Sequence, residues 1–184
     1  MAYNLKDVFY LSTSVTTTAN TTGGGSAQLD LSAYIDPIAR GRQKGSGLAV
    51  YRVHWMINDD TQSNPVDPAE TGVMSFQLQA GLGIGDNATG DYTMDNEEGL
   101  ATNNLLVSAG SYYGPSASPS TGGISNRIDP SDDVPYVIVR DNVCLTYDIK
   151  DAFSDKQIIS CRLEVAQVSL DQATLNQLLR TQTV

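Results

Sequence analysis

The chain has 184 residues, of which 40% are hydrophobic and 17% are charged, and its formal net charge is −10. We expect one domain spanning residues 1–184, because this length suffices to bury a substantial core. The composition excludes a disordered chain, and no apolar run approaches the roughly 20 residues that a membrane-spanning helix needs. The acidity and the lack of a basic arm argue against nucleic-acid binding, and the absence of a visible secretory signal predicts synthesis in the cytoplasm.

The acidic residues are strongly biased towards aspartate. The chain holds 17 Asp against 4 Glu, and 7 Arg against 4 Lys. Short, strongly hydrated aspartates keep a surface wetted and repelling when salt has reduced the Debye length to about 3 Å at 1 M. The bias therefore indicates adaptation to brine.

The first half of the chain alternates with a period of two, which predicts strands. We expect strands at residues 8–15, 28–32, 48–58 and 73–82, with a loop at 16–26. In the strand at 48–58, one face is predicted to form the core: Ala49, Tyr51, Val53, Trp55 and Ile57. In the strand at 73–82, apolar side chains alternate with Ser75, Gln77 and Gln79, which are expected on the other side.

The second half predicts further strands at 105–109, 135–140, 143–149 and 157–169, with a long exposed loop between residues 116 and 135. The period then changes. Ser169 to Gln172 resemble a capping box, and Leu175, Leu178 and Leu179 fall on one helical face. We expect a short C-terminal helix that covers an open end of the fold or binds a partner.

About eight strands with long loops predict an all-β, eight-stranded jelly-roll sandwich or barrel, with immunoglobulin-like topology as the alternative.

The sequence contains no motif that is typical of a catalytic site. His54 is the single histidine, and its place within a strand favours a structural or interface role over that of a base. Acidic loops at 86–98 and 129–133 raise calcium binding as an alternative, although neither has the Asp-x-Asp-x-Asp-Gly spacing. We therefore expect no catalytic residues, cofactor, metal or small-molecule substrate.

Two cysteines, Cys144 and Cys161, lie on the last two predicted strands. If residues 151–154 form a hairpin turn, the antiparallel register sets Cys144 directly opposite Cys161. A cross-strand disulfide, a pair of ordinary buried thiols and an intersubunit bridge are the alternatives. Synthesis in a reducing cytoplasm favours the thiols.

In its length, acidity and strand content, the chain resembles the smaller of the two major capsid proteins of haloarchaeal icosahedral viruses with an internal membrane, the sphaerolipovirus-like group. The resemblance implies a virion structural protein with a single vertical β-barrel. Such subunits associate with themselves and with a companion capsid protein, and they form an icosahedral shell over a membrane vesicle. The resemblance also implies assembly in the host cytoplasm and, for residues 116–134, an exposed or subunit-contacting loop.

A carbohydrate-binding or adhesin-like β-sandwich is the alternative from another class of protein. It requires exposed aromatic platforms. Tyr112 and Tyr113, adjacent in a predicted loop, are the clearest candidates, although interface aromatics fit them equally well.

Overall fold

The computed structural model describes residues 7–36, 44–60, 71–81, 105–114 and 123–182. Within these ranges the chain forms nine β-strands and one α-helix. The elements are β1 (Val8–Thr16), β2 (Gly23–Asp30), β3 (Lys44–Asp59), β4 (Val73–Ala80), β5 (Leu106–Tyr113), β6 (Gly123–Ile128), β7 (Tyr136–Ile138), β8 (Asn142–Asp151), β9 (Gln157–Asp171) and α1 (Gln172–Thr181). No helix in these ranges is long and apolar enough to cross a membrane.

The strands form two antiparallel sheets. The first sheet has the order β1-β9-β3-β7, and the second has the order β2-β8-β4-β5-β6. The chain passes repeatedly from one sheet to the other, as in two interleaved Greek keys, and β6 extends the edge of the second sheet. The predicted jelly roll is confirmed, in the form of a sandwich and not of a closed barrel.

Strand β3 follows the predicted alternation only over part of its length. Val53, Trp55 and Ile57 point into the core as expected. At the start of the strand, however, Leu48 and Val50 belong to the core cluster, whereas the predicted face placed them outside. The register with β9 shifts between Val50 and Arg52, which marks a β-bulge. The extra residue of a bulge moves the following side chains to the opposite face.

Strand β4 has one face in the core and a second face that is also buried. Met74, Phe76, Leu78 and Ala80 are fully buried, as predicted. The polar side chains of Gln77 and Gln79, which lie on the opposite side as predicted, are only 0% and 1% exposed. Residue 82, the predicted end of this strand, lies outside the described residues.

Two stretches with loop composition are strands. Strand β2 begins at Gly23, and its glycines allow a close approach to β8, since a Cβ added at Gly24 would lie 2.7 Å from the backbone oxygen of Tyr147. Strand β6 falls within the predicted loop and pairs with β5, which extends to Tyr113. Glycine and exposed polar residues hide the first half of β2 and the whole of β6 from a search for apolar alternation.

The predicted hairpin between β8 and β9 is wrong. Strand β8 lies in the second sheet between β2 and β4, whereas β9 lies in the first sheet between β1 and β3. The connection at residues 152–156 holds Phe153, which is 1% exposed and belongs to the core cluster. This connection buries an aromatic ring while it crosses from one sheet to the other.

Helix α1 packs against the first sheet through Leu175, which is fully buried and closely approaches Gly45 of β3. Its N-cap is Asp171, whose Oδ1 accepts a hydrogen bond of 2.7 Å from the backbone N–H of Thr174. The helix thus begins two residues later than the predicted capping box, because Ser169 still belongs to β9.

Candidate functional site

The first sheet exposes a broad surface on the side that faces away from the core. Strand pairing arranges its side chains in three rows across β1, β9 and β3, in which cross-strand neighbours lie about 4.5–5.5 Å apart at Cβ. The rows are Tyr10, Glu164 and Arg52; Ser12, Arg162 and His54; and Ser14, Ser160 and Met56. We call these residues the outer face.

Large apolar side chains lie exposed on the outer face. Tyr10 is 59% and Met56 is 58% exposed. Single exposed apolar residues are normal on a protein surface, but these two lie on the same face as two arginines. Tyrosine, methionine and arginine are the residues that protein interfaces favour, whereas lysine and aspartate are depleted there.

The charged groups of the outer face are paired, with one exception. Arg52 forms a two-pronged hydrogen bond to Asp132, with Nε 3.2 Å from Oδ1, and this bond raises the pKa of Arg52. His54 Nε2 lies 3.6 Å from Glu164 Oε2. Arg162 makes no ion pair with any residue that the structure describes, and its Cζ lies over the ring of Tyr10, 5.8 Å from the centroid.

Two shallow depressions shape this side of the molecule. The larger, of about 630 Å³, includes Tyr10, Met56 and Arg162 in its lining. The smaller, of about 460 Å³, lies between Arg52 and the segment 129–133. Both are lined by His54, so they form one continuous surface.

A hydrogen-bond network that runs from the core to the surface holds the segment after β6 beside the outer face. Trp55 Nε1 donates to Ser108 Oγ at 2.8 Å, and Ser108 Oγ donates to Asp129 Oδ1 at 2.6 Å. Asp129 also pairs with Arg127 at 2.7 Å, and Arg127 Nη2 donates to the backbone oxygen of Val53 at 2.8 Å. Strand β6, which the sequence does not predict, thus ties the edge of the second sheet to β3.

This bond to Val53 has a topological reason. Strand β7 has only three residues and pairs with β3 from Leu48 to Val50. Beyond Val50, β7 supplies no hydrogen bonds to this edge of β3. Arg127 provides a donor for one of the backbone oxygens there, which a buried carbonyl requires.

With the strand order and the outer face defined, the chain can be compared with known proteins. No protein-family model and no curated protein sequence matches it. A solved structure of VP1 from Trichodysplasia spinulosa-associated polyomavirus, in complex with GM1 oligosaccharide, is similar at a TM-score of 0.51 and 9% identity, covering 93% of this chain and 97% of that chain. The chain shares the fold of this VP1.

A second structure of the same VP1, in complex with sialylated precision glycooligomers, has a TM-score of 0.48 and 7% identity. It covers 92% of this chain and 97% of that chain. Polyomavirus VP1 is a major capsid protein with a jelly-roll sandwich. At such low identity the likeness concerns the fold and leaves the function of this chain to be argued from its own residues.

The two cysteines are not cross-strand neighbours. Cys161 lies in the first sheet and points into the core, opposite Thr13 and Trp55. Cys144 lies in the second sheet, opposite Gln28 and Gln79, on the side away from the core. The predicted register of Cys144 opposite Cys161 is therefore wrong, because the chain changes sheets between them.

Both cysteines are buried free thiols. Burial raises the pKa of Cys144 to about 11 and that of Cys161 to about 12, which keeps both thiols protonated at neutral pH. A protonated, buried thiol is a poor nucleophile and a poor metal ligand.

The predicted aromatic platform does not form. Tyr112 and Tyr113 lie on strand β5 and point to opposite faces, because side chains alternate along a strand. Tyr112 is 7% exposed and packs against Phe153 with ring centroids 5.9 Å apart, whereas Tyr113 is 43% exposed. A sugar could therefore stack on only one of these rings.

Two of the three described acidic groups considered for calcium have other partners, and the third, Asp133, is exposed. Asp129 and Asp132 pair with arginines, and residues 86–98 are outside the described part of the chain. Within the described ranges, no group of three or more His, Cys, Asp or Glu could hold a metal ion.

Nothing in the sequence alone identifies the outer face as a surface. Tyr10, Met56 and Arg162 are distant in sequence and meet only through the pairing of β9 with both β1 and β3. The one available signal is local, since the residues on the non-core side of the strand at 48–58 include Arg52, His54 and Met56.

Proposed function

We propose that this chain is a structural subunit of a virus particle, a capsid protein that assembles with copies of itself, and that it is not an enzyme. Its strand order is that of the jelly roll, a fold that serves in viral capsids and also in lectins and cupins. The fold alone does not separate these classes. The similarity to a polyomavirus VP1 supports the first of them.

The outer face is the observation that carries the proposal. It exposes Tyr10 and Met56 beside Arg52 and Arg162, on an open sheet surface with shallow depressions and not in a deep pocket. Open surfaces of this composition suit contact with another protein. A catalytic or small-molecule site is usually concave and encloses most of its ligand.

The net charge of the chain also suits a subunit that must assemble under control. At −10, free copies repel one another, and salt weakens that repulsion. Assembly is then favoured where salt is high. We propose on this basis that the particle forms in a salt-rich host, as expected for a haloarchaeal virus.

The finer features of that group remain part of the proposal. They are an icosahedral shell, a companion capsid protein, an internal membrane beneath the shell and assembly in the host cytoplasm. These features rest on the resemblance in composition and length. We propose that residues 1–184 act in such a shell as one domain.

The test is the association state of the purified chain at different salt concentrations. We expect light scattering and sedimentation to show oligomers that grow with protein concentration, more strongly at about 1 M than at about 0.1 M NaCl, where the Debye lengths are about 3 and 10 Å. Electron microscopy should show capsomers or shells. A monomer at every concentration and salt level would contradict the proposal.

The carbohydrate-binding alternative makes the opposite prediction, a stable monomer that binds glycans. Its aromatic platform is lost, since Tyr112 lies in the core cluster. Binding of glycans by a chain that never self-associates, measured on immobilised oligosaccharides, would favour this alternative over the capsid.

A further inference from the structure

Arg162 differs from Arg52 of β3 and from Arg127 of β6, because both of those arginines pair with a carboxylate. Asp132 neutralises Arg52, and Asp129 neutralises Arg127. Arg162 has no carboxylate partner within the described residues; its cross-strand neighbours on the outer face are Ser12 and His54. Glu164 lies in the adjacent row of the outer face, where its carboxylate contacts His54 at 3.6 Å and forms no ion pair with Arg162.

We propose that the outer face binds an acidic surface of a second copy of this chain, with Arg162 as the anchor of the contact. This inference rests on the proposed function and assigns to it a surface and a partner. The guanidinium of Arg162 is held over the ring of Tyr10, so its position is partly fixed before binding. A fixed side chain loses less conformational entropy on association.

The side chains around Arg162 suit a contact that excludes water. The Tyr10 ring makes a cation–π contact with the guanidinium, and Met56 lies one row away on the same face. Tyrosine and arginine are the residue types that most often dominate binding energy, and apolar neighbours that exclude water strengthen their contacts. A carboxylate that meets Arg162 in this setting forms a charge-assisted hydrogen bond.

Charge selects a second copy as the partner. The chain has 21 acidic residues against 11 basic ones, and Glu164 is the one acidic residue of the outer face. Exposed carboxylates of the described residues include Asp60, Asp141 and Asp151, none of which lies on the outer face or lines the two depressions beside it. Contact between two different surfaces of identical chains is heterologous, and it closes into rings or shells when the rotation allows.

The first test changes the charge of Arg162 and measures self-association by sedimentation equilibrium. Removing one partner from a desolvated charge pair costs enough that we expect Arg162→Gln to weaken association at least about tenfold, and Arg162→Glu more. Arg162→Lys keeps the charge but cannot bind a carboxylate through two parallel hydrogen bonds, as a guanidinium does. It should therefore weaken association, but less than Arg162→Gln. Tyr10→Ser should also weaken association.

Arg180→Gln is the matched control, since Arg180 is an exposed arginine on helix α1 and not on the outer face. It should leave association within about twofold of the wild type. Circular dichroism and thermal unfolding establish that each variant is folded. The proposal is overturned if Arg162→Glu associates as strongly as the wild type. It is also overturned if Arg180→Gln weakens association as much as Arg162→Gln does.

The second test identifies the partner surface directly. A photoreactive benzoylphenylalanine replaces Met56 in unlabelled protein, which is mixed with ¹⁵N-labelled wild type before irradiation. We expect crosslinks between copies, which join position 56 to labelled peptides that contain exposed aspartates. The same probe at Lys150, on the second sheet, is the control and should crosslink to different peptides. Crosslinks at position 56 that stay within one copy overturn the proposal.

The two proposals fail in different ways. A wild-type chain that remains monomeric under all conditions contradicts the proposed function itself. A wild-type chain that assembles, with Arg162→Glu assembling equally well, leaves the capsid function standing and removes only the role of the outer face.

Discussion

The indole Nε1 of Trp55 donates a 2.8 Å hydrogen bond to the hydroxyl of Ser108, and this bond joins the two sheets through the core. Trp55 comes from β3 of the first sheet, and Ser108 comes from β5 of the second. Ser108 is fully buried, and its hydroxyl in turn donates a hydrogen bond to Asp129. The position of the segment beside Arg52 therefore depends on a hydroxyl inside the sandwich.

Replacing Ser108 by alanine should destabilise the protein by about 1–3 kcal/mol, because the buried indole N–H then lacks its acceptor. Trp55 is the single tryptophan, so its fluorescence reports the change directly during urea unfolding. Ser125→Ala, at an exposed position of β6, is the control and should have little effect. Equal stability of the two variants would show that the Trp55 bond contributes nothing.

The side chain of Gln182 supports a second prediction. Its Oε1 accepts a hydrogen bond from the backbone N–H of Val139 at 3.2 Å, and its Nε2 donates to the backbone oxygen of Val137 at 2.6 Å. Gln182 is only 3% exposed, and these bonds hold the end of helix α1 against β7. Gln182→Ala should therefore cost about 1–3 kcal/mol, measured by urea unfolding.

The control for Gln182 is Gln177→Ala, an exposed glutamine on the same helix. This change should alter the free energy of unfolding by less than about 0.5 kcal/mol. If both variants lose the same amount, the effect arises from the helix as a whole and not from the contact with β7.

Gln77 leads to a prediction of increased stability. Its side-chain amide is fully buried, and neither Oε1 nor Nε2 has a hydrogen-bond partner among the residues that the structure describes. A buried amide without partners costs about 1–3 kcal/mol, whereas methionine fills a similar volume without that cost. Gln77→Met should thus raise the free energy of unfolding, while Gln28→Met, at an exposed position, should not. A clear loss of stability in Gln77→Met would mean that the amide has a partner after all.

The sequence predicts most strands of this fold because burial imposes a period of two along each of them. It fails where the chain departs from that period. The bulge after Val50 depends on the register with β9, which local sequence does not encode. The crossing at Phe153 resembles a hairpin because its length suits one, and only the core that receives the ring distinguishes the two.

Polar strands are the second source of error. Strand β6 carries Ser125, Asn126 and Arg127, which are exposed and typical of a loop. Conversely, the alternation correctly places Gln77 on the side away from the core, but it does not reveal that this side of β4 is also buried. The outer face combines three strands, so it follows from the sheet order and not from any one segment.

The cysteines yield a prediction about reactivity. Both thiols are buried, with pKa values raised to about 11 for Cys144 and about 12 for Cys161. In the folded protein at neutral pH, we expect neither to react with a thiol reagent within the time in which urea-unfolded protein reacts fully. Fast reaction of one thiol in the folded protein, at a rate independent of unfolding, would contradict the burial of that residue.

The same raised pKa values predict a loss of stability in alkali. Below pH 9.0, the ordinary value for cysteine, the thiols are protonated in both the folded and the unfolded state, and their contribution is fully present. As the pH rises towards the folded-state values, the unfolded chain releases these protons first, so the free energy of unfolding falls. Urea unfolding from about pH 8 to about pH 10 measures that slope. The double variant Cys144→Ala/Cys161→Ala should be less stable at about pH 8, but its free energy of unfolding should fall less steeply with pH. An unchanged slope would assign the alkaline loss of stability to other groups.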